Sequence, residues 1–282
     1  KFVLKLVENQ LWQYPPAKIQ FTEYLNTVDC SGGKFELYSR LNKYYLQLVD
    51  DHNIQNQLNE TRGQNRAKSI DKYIFQHINK INNINNNNKM PKITKYLDIG
   101  CFDGHISKAV SNLFDLNKDQ IYGADIKSYQ HIDDNAYNDI TFVQYDGKKL
   151  PFADATFELI TCLMTLHHVD PLNLAELIQD MVRVLKPGGI IILREHDVER
   201  AIQSTESTSL DIMHDFYDYV WSTNDMANWN EIETHSLNNY KNNISWSQLF
   251  HEHGLDTHAP ANVFRNFHSN PFMSYICSYK KP

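Results

Sequence analysis

Residues 95–106 read Lys95-Tyr-Leu-Asp-Ile-Gly-Cys-Phe-Asp-Gly-His-Ile106, and this stretch decides the fold of the chain. A hydrophobic strand is predicted to end near the acidic Asp98, to turn on Gly100 and Gly104, and to be followed by a helix. Glycines let the backbone approach a ligand closely, and the first turn of a helix presents free amide groups to that ligand. The stretch therefore predicts an α/β domain with a ligand-binding loop after one strand.

A second acidic residue ends the next predicted strand, Gln120-Ile-Tyr-Gly-Ala-Asp125. In nucleoside-binding α/β proteins, an acid at this place accepts hydrogen bonds from the ribose hydroxyls. The dinucleotide fingerprint Gly-x-Gly-x-x-Gly is not matched, because the loop reads Gly100-Cys-Phe-Asp-Gly104. The pattern therefore favours a nucleoside ligand without a pyrophosphate.

The pattern Asp98-x-Gly100-x-x-x-Gly104, with the later Asp125, resembles the first two motifs of the class I S-adenosylmethionine-dependent methyltransferases. The sequence departs from the family at Phe102, where members often have a third glycine, and this departure bears on the shape of the loop. The resemblance implies that S-adenosylmethionine is the cofactor. It also implies that the loop, Phe102 included, shapes the methionine pocket and that Asp125 holds the ribose.

Further resemblance to this family continues downstream, over roughly residues 92–200. The run Val143-Gln-Tyr-Asp-Gly-Lys-Lys-Leu-Pro-Phe152 is similar to the third motif. This similarity implies that Asp146, with Gly147 beside it, meets the adenine amino group, while Ile126 packs on the adenine ring.

The fourth and fifth predicted strands also match the family. The run Phe157-Glu-Leu-Ile-Thr-Cys-Leu-Met-Thr-Leu-His-His-Val169 resembles the fourth strand and the loop beside the sulfonium, which implies a cofactor contact for Leu163. Residues 174–185 have apolar side chains at helical spacing, and Lys186-Pro-Gly-Gly-Ile-Ile-Ile-Leu193 predicts a turn and a buried parallel strand.

The resemblance implies an α/β, Rossmann-like fold, with a mostly parallel sheet, helices on both faces and an antiparallel last strand. We predict a methyltransferase domain over residues 91–282, with a helical insertion at about 201–257. Residues 1–90 are predicted to form a helical leader or lid that includes an Asn-rich loop. Residues 260–268 and 272–280 are predicted to form an antiparallel strand pair.

The methyl acceptor decides whether the site needs a base. A lone pair such as that of guanine N7 needs only positioning, whereas a hydroxyl must lose a proton. The fourth strand ends in Thr161-Cys162-Leu163, without the Asn- or Asp-Pro-Pro-Tyr run of DNA amine methyltransferases, the Pro-Cys pair of cytosine-carbon enzymes or the acid of ribose enzymes. Two acceptor classes stay open, namely guanine N7 and a small molecule that a histidine activates.

Candidate substrate-pocket residues follow the fourth and fifth strands, because open parallel sheets bind ligands at the carboxyl ends of their strands. They are His167, His168, Glu195 and His196. A histidine here is a candidate base, and the alternative is that it fixes a loop or bonds the cofactor. No catalytic residue is required for guanine N7, which presents a lone pair. No metal site is expected, since the His251-Glu-His253 pattern lacks further ligands at supporting spacing.

The segment of residues 60–75 is loosely similar to the helix that precedes the cofactor loop in mRNA cap guanine-N7 methyltransferases. With the start at Lys1 and the many Asn and Lys residues, it favours the cap methyltransferase domain of a large DNA virus capping enzyme. Capped RNA and other domains of a longer polypeptide are then the expected partners. The Leu-His-His-Val169 and Leu-Lys-Pro-Gly-Gly189 runs resemble quinone-type enzymes as much. A small-molecule methyltransferase and an inactive cofactor-binding subunit are the alternatives.

Composition limits the partners and the compartment. The chain has 282 residues and a net charge of −7, which argues against a broad phosphate-binding surface, so an RNA would need a local basic patch. The four cysteines lack paired spacing and predict free thiols in a reducing compartment. No apolar run reaches membrane-spanning length. We therefore expect no membrane partner and a cytoplasmic location, which is the host cytoplasm or the virion if the protein is viral.

Overall fold

The structure is a computed structural model that describes residues 2–11, 13–54, 74–79, 90–128, 136–199, 205–221, 239–263 and 273–282. The chain divides into two compact units, one of residues 1–59 with 200–238 and one of residues 60–199 with 239–282. Within the described residues, no helix combines the length and the apolar character that a membrane crossing requires.

The second unit contains one sheet, which has seven strands among the described residues. The strands are β1 (Tyr96–Ile99), β2 (Ile121–Asp125), β3 (Thr141–Gln144), β4 (Phe157–Leu163), β5 (Leu185–His196), β6 (Asp256–Val263) and β7 (Ser274–Lys280). Their order in the sheet is β3-β2-β1-β4-β5-β7-β6. Strands β1 to β5 pair in parallel, and β7 pairs antiparallel with both β5 and β6. The predicted fold class is therefore confirmed.

The helices are α1 (Phe2–Leu11), α2 (Pro15–Thr27), α3 (Lys34–Asp51), α4 (His105–Asn112), α5 (Pro171–Val184), α6 (Thr205–Asp215) and α7 (Asn243–Glu252). Residues 74–79 are also helical. Helix α5 begins three residues before the apolar repeat that predicted it. The reason is local, because the Asp170 side chain accepts a hydrogen bond from the Leu172 amide and Pro171 occupies the first turn.

The central strands read as continuous hydrophobic runs because both faces of the sheet are covered. One buried cluster contains Leu97 and Leu193 together with residues of α5 and α7. The other contains Tyr96 and Ile192 together with Val110 of α4. Polar groups for a ligand are therefore expected at the strand ends and in the loops that follow them.

The predicted turn before the fifth strand is present as an irregularity within β5. Phe157 pairs with Leu185 and Leu159 pairs with Ile190, so β5 contains extra residues at this point. Gly188, with φ of +75°, lies in this segment, and its amide donates to the Lys281 carbonyl. The strand therefore begins earlier than the sequence predicts, because these pairings extend it on both sides of the turn.

The predicted antiparallel strand pair near the end of the chain is confirmed, with different bounds. Strand β6 begins at Asp256, which pairs with Lys280, so it starts before the predicted residue 260. The predicted continuation to residue 268 and the predicted connection at Asn270-Pro271 lie outside the described residues.

The first unit contains α1, α2, α3 and α6, with a π-helical turn over Phe216–Val220. Its core is aromatic, with the Trp221 ring centroid 4.9 Å from both Phe21 and Tyr45. The buried Asp215 accepts hydrogen bonds from Tyr38 and from Lys34, at 3.0 and 2.9 Å. Helix α3 lies in the segment predicted as a helical leader, and α6 and α7 lie in the segment predicted as a helical insertion.

The domain boundary predicted near residue 90 and the role of the leader as a lid stay predictions. The Asn-rich loop, and most of the segment similar to the cap enzymes, lie outside the described residues.

Candidate active site

The loop after β1 turns on two glycines that have left-handed backbone conformations. Gly100 has φ of +74° and donates its amide to the Ala124 carbonyl at 2.8 Å. A Cβ atom at this position would overlap Thr165 Oγ1. Gly104 has φ of +81° and precedes α4, with its amide donated to the Cys101 carbonyl at 2.9 Å. The loop therefore needs glycine at both positions, for conformation and, at Gly100, also for space.

Phe102 also has a left-handed conformation, with φ of +49°, which is unusual for a residue with a large side chain. Two hydrogen bonds hold it there. Its amide donates to Asp125 Oδ2 at 3.0 Å, and its carbonyl accepts from the Tyr137 hydroxyl at 2.7 Å. The loop therefore adopts a tight turn even though Phe102 stands where many members of the resembled family have a third glycine.

Asp98 is 3% exposed and lies near the end of β1. Its Oδ1 accepts a hydrogen bond from Thr161 and its Oδ2 accepts one from Ser107, both at 2.6 Å. Burial raises the pKa of Asp98 from its ordinary value of 3.8 to about 6, although these two hydroxyl donors act to lower the pKa. The Asp98 carboxylate is therefore ionised at neutral pH, although its burial disfavours the charged form.

Asp125 is the last residue of β2 and is also buried. Besides the Phe102 amide, it accepts the Lys127 amide at 3.3 Å on Oδ1. Burial raises its pKa, and these backbone amides lower it. The next residue, Ile126, is 51% exposed, which is unusual for an isoleucine beside a buried acid and leaves an apolar surface for a ring to pack on.

The predicted adenine residues lie after the neighbouring strand β3. The Tyr145 amide donates to the Asp125 carbonyl at 3.1 Å, which joins the two strand ends. A Cβ atom at Gly147 would lie 3.4 Å from Ile126 Cγ2. Asp146 is exposed, and its pKa is lowered because Oδ1 accepts the amides of Lys149 and Lys148 at 2.8 and 2.9 Å. The structure therefore brings Ile126 beside the turn that carries Asp146.

A cavity opens at the cofactor loop. Some of the residues that line it were predicted from the sequence to bind the cofactor, and others were not. Its lining residues are Asp98, Gly100, Cys101, Phe102, Asp103, Ile106 and Leu163. Asp103 is buried and accepts the His105 amide at the start of α4. Buried carboxylates suit the ammonium group of S-adenosylmethionine, and Asp125 beside the loop suits its ribose hydroxyls. The residues present therefore fit this cofactor.

Comparison with known proteins agrees with this geometry. Residues 97–193 match the model of a family described as a methyltransferase domain. Over these residues the chain is a class I S-adenosylmethionine-dependent methyltransferase domain. The cofactor predicted from the loop is therefore confirmed as S-adenosylmethionine.

Individual relatives match parts of the chain. A ubiquinone/menaquinone biosynthesis C-methyltransferase of Saccharophagus degradans is 29% identical over 134 residues, which are 44% of this chain and 49% of that enzyme. The enzyme of the same name from Idiomarina loihiensis is 35% identical over 80 residues, 28% of this chain and 29% of that enzyme. The matched part thus spans half or less of these relatives. The solved structure of an S-adenosylmethionine-dependent methyltransferase of Archaeoglobus fulgidus is also similar, and the match covers 76% of this chain and 94% of that protein. The two sequences are 13% identical, and the TM-score is 0.49.

The loop that follows β4 in the methyltransferase domain is held by Glu195, which is fully buried on β5. Glu195 Oε1 accepts the amides of Thr165 and Leu166 at 3.0 and 2.7 Å. Its Oε2 accepts Nδ1 of His167 at 2.6 Å. Burial raises the pKa of Glu195, and the amide donors lower it. Glu195, one of the predicted substrate-pocket residues, therefore holds the loop after β4 in place.

The three predicted histidines of the methyltransferase domain lie close together but differ in exposure. His167 and His196 are each 1% exposed, with ring centroids 4.6 Å apart. Tyr240 is buried beside both, at 5.9 and 5.5 Å. His168 is exposed, with its ring 4.0 Å from that of His167. Among these residues, His168 is the one that an acceptor can reach from solvent.

Sequence reasoning missed the residues that hold the cofactor loop from outside the motifs. They are Ser107 and Thr161 on Asp98, Tyr137 on Phe102, and Thr165 against Gly100. A serine at this position of α4 faces the strand that precedes the loop, so helical periodicity was a usable signal for Ser107. The other three come from separate segments and have no local signal.

Proposed function

We propose that the chain is an active methyltransferase that uses S-adenosylmethionine to methylate a small phenolic or hydroquinone acceptor. The observation that supports S-adenosylmethionine as the methyl donor is the cofactor loop, where Asp98 lies near the end of β1 and Asp125 ends the adjacent β2, beside Gly100 and Gly104. All of these groups are present together, so the site has the parts that cofactor binding requires.

The acceptor class is supported by the relatives and by charge. Both relatives described above are named as C-methyltransferases of ubiquinone and menaquinone biosynthesis. The net charge of −7 disfavours a partner with many phosphates. A phenol or hydroquinone is uncharged or carries a single negative charge, so it meets little electrostatic barrier.

S-adenosylmethionine, when bound, supplies an electrophilic methyl group on a sulfonium. The new bond forms between that methyl carbon and an oxygen or ring carbon of the acceptor, while the bond from sulfur to methyl breaks. The acceptor loses one proton, so a base near the carboxyl ends of β4 and β5 helps. His168 is the exposed candidate for this proton, since His167 already bonds Glu195.

The test is methyl transfer from labelled S-adenosylmethionine by the full chain. The acceptors are a short-chain naphthohydroquinone, kept reduced, a capped but unmethylated short RNA, and the same RNA without a cap. Labelled naphthohydroquinone, with no label in either RNA, is the expected result.

Matched variants separate cofactor binding from folding. Asp125→Ala should abolish transfer and weaken cofactor binding, while Asp119→Ala, which changes an exposed acid just before the same strand, should leave both unchanged. Loss of thermal stability in Asp125→Ala with normal cofactor affinity would contradict the assigned role of Asp125.

The cap alternative is decided in the same assay. It is supported by composition and by the resemblance in residues 60–75, of which residues 60–73 lie outside the described residues. Cap-dependent transfer that yields 7-methylguanosine would replace the small-molecule proposal. Tight cofactor binding without transfer to any of the three acceptors would support the cofactor-binding subunit.

A further inference from the structure

The loop after β4 packs directly on the backbone of the cofactor loop. The Thr165 hydroxyl donates to the Ile99 carbonyl at 3.2 Å, and its side chain fills the space where Gly100 lacks a Cβ atom. Leu163, just before the loop, lines the cofactor cavity. Any displacement of residues 163–165 would therefore change the wall of the cavity.

The backbone of this loop is strained where it leaves the strand. Met164 has φ of +61°, a left-handed conformation that costs energy for a residue with a side chain. Its amide is held by the Arg194 carbonyl at 2.7 Å. A strained turn persists only when its surroundings supply compensating bonds, and each of the next three residues donates a hydrogen bond to one and the same group.

That group is the carboxylate of Glu195. It accepts two consecutive backbone amides and the Nδ1 of the following histidine, and all of these bonds are buried or partly buried. Because carboxylates accept hydrogen bonds only, His167 carries its proton on Nδ1, which also sets the orientation of its ring. We propose that Glu195 is a positioning residue for cofactor binding, which acts by holding residues 164–167 against Gly100 without contacting the cofactor. This inference rests on the proposed use of S-adenosylmethionine by this chain.

The chain contains a matched control for this proposal. Glu158, at the opposite end of β4, also accepts two consecutive backbone amides, those of Thr94 and Lys95, at 3.1 and 2.7 Å. It lies away from the cofactor loop, near the amino end of the strand. Replacing either glutamate by methionine keeps a side chain of similar length and removes all of the acceptor atoms.

The first measurement is the dissociation constant of S-adenosylmethionine for the full chain and its variants, by calorimetry. We expect Glu195→Met to raise the dissociation constant about tenfold or more, because charge-assisted bonds that shape the cavity are lost. Glu195→Gln, which keeps one acceptor oxygen, should recover part of the affinity. Glu158→Met should change the constant by less than about twofold, even if it lowers the melting temperature as much.

The second measurement is amide hydrogen exchange. Glu195→Gln, and Glu195→Met if it folds, should speed exchange at residues 165 and 166 selectively, whereas Glu158→Met should do so at residues 94 and 95. Normal cofactor affinity in either Glu195 variant with accelerated exchange, or an equal loss of affinity in Glu158→Met, would overturn the positioning role. Failure of the wild-type chain to bind S-adenosylmethionine would instead refute the proposed function, and that titration alone distinguishes the two failures.

Discussion

Replacing Asp98 by Asn is expected to stabilise the fold while weakening cofactor binding. Asp98 is buried, and its pKa rises from 3.8 to about 6 because burial disfavours the ionised form. At neutral pH the carboxylate is ionised in both states, and the rise corresponds to about 3 kcal/mol of free energy that opposes folding. Asn removes this cost and can still bond the hydroxyls of Ser107 and Thr161.

The sign of the effect depends on pH. Because the folded pKa lies above the unfolded value, the cost is absent below pH 3.8, grows as the pH rises to about 6, and is constant above that. The free energy of unfolding of Asp98→Asn should therefore exceed that of the wild type by about 1 to 3 kcal/mol at pH 7.5, and by much less near pH 4.

Cofactor affinity should change in the opposite direction. Loss of a buried negative charge in the cavity removes a charge-assisted partner for the ammonium group, which is expected to weaken binding by about 10- to 100-fold. Urea unfolding at pH 4 and 7.5 measures the stability, and calorimetric titration with S-adenosylmethionine measures the affinity. The exposed Asp119→Asn is the control for both. A variant that is less stable than the wild type at pH 7.5, or whose gain does not shrink towards pH 4, would refute the desolvation argument.

Three further changes test the site. Gly100→Ala should cost about 2 to 4 kcal/mol of stability and most of the cofactor affinity, because the added methyl group overlaps a packed side chain. Gly188→Ala, at a position with a similar φ and open space, should cost about 1 kcal/mol. Urea unfolding measures both costs, and equal costs would contradict the packing argument. Tyr137→Phe should lower stability by about 1 kcal/mol and raise the dissociation constant of the cofactor, since the cofactor loop loses a hydrogen bond. An unchanged dissociation constant would exclude Tyr137 as a support of the loop. His168→Gln should reduce the turnover rate with a naphthohydroquinone by about 100-fold at unchanged cofactor affinity, and full activity would remove His168 as the base.

Local signals predicted the cofactor side of the domain. The turn on Gly100 and Gly104 depends on the conformational freedom of those residues, which is a property of the residues themselves. The buried parallel strands were visible as hydrophobic runs, since a strand covered on both faces has no polar side. Element bounds were less accurate, because the cap at Asp170 and the extra pairings of β5 depend on neighbouring groups.

The predictions of the methyl donor and of the methyl acceptor had different outcomes. The fold and S-adenosylmethionine were predicted from motifs and are confirmed, whereas the preference for an RNA cap rested on residues 60–75 and on composition, and the relatives favour the small-molecule alternative. An acceptor pocket is assembled from loops after several strands, so no contiguous stretch of sequence specifies it.

The sequence by itself determined that the chain has a methyltransferase loop and sheet, because glycine conformation, strand hydrophobicity and the acids at strand ends act over a few neighbouring residues. Tertiary structure alone decided what holds that loop, and the loop after β4 beside it, in place. Glu195 bonds Leu166 across 29 positions, Tyr137 bonds Phe102 across 35, and Thr161 bonds Asp98 across 63. Such partners meet only after the parallel strands have paired, so their hydrogen bonds follow from the register of the sheet.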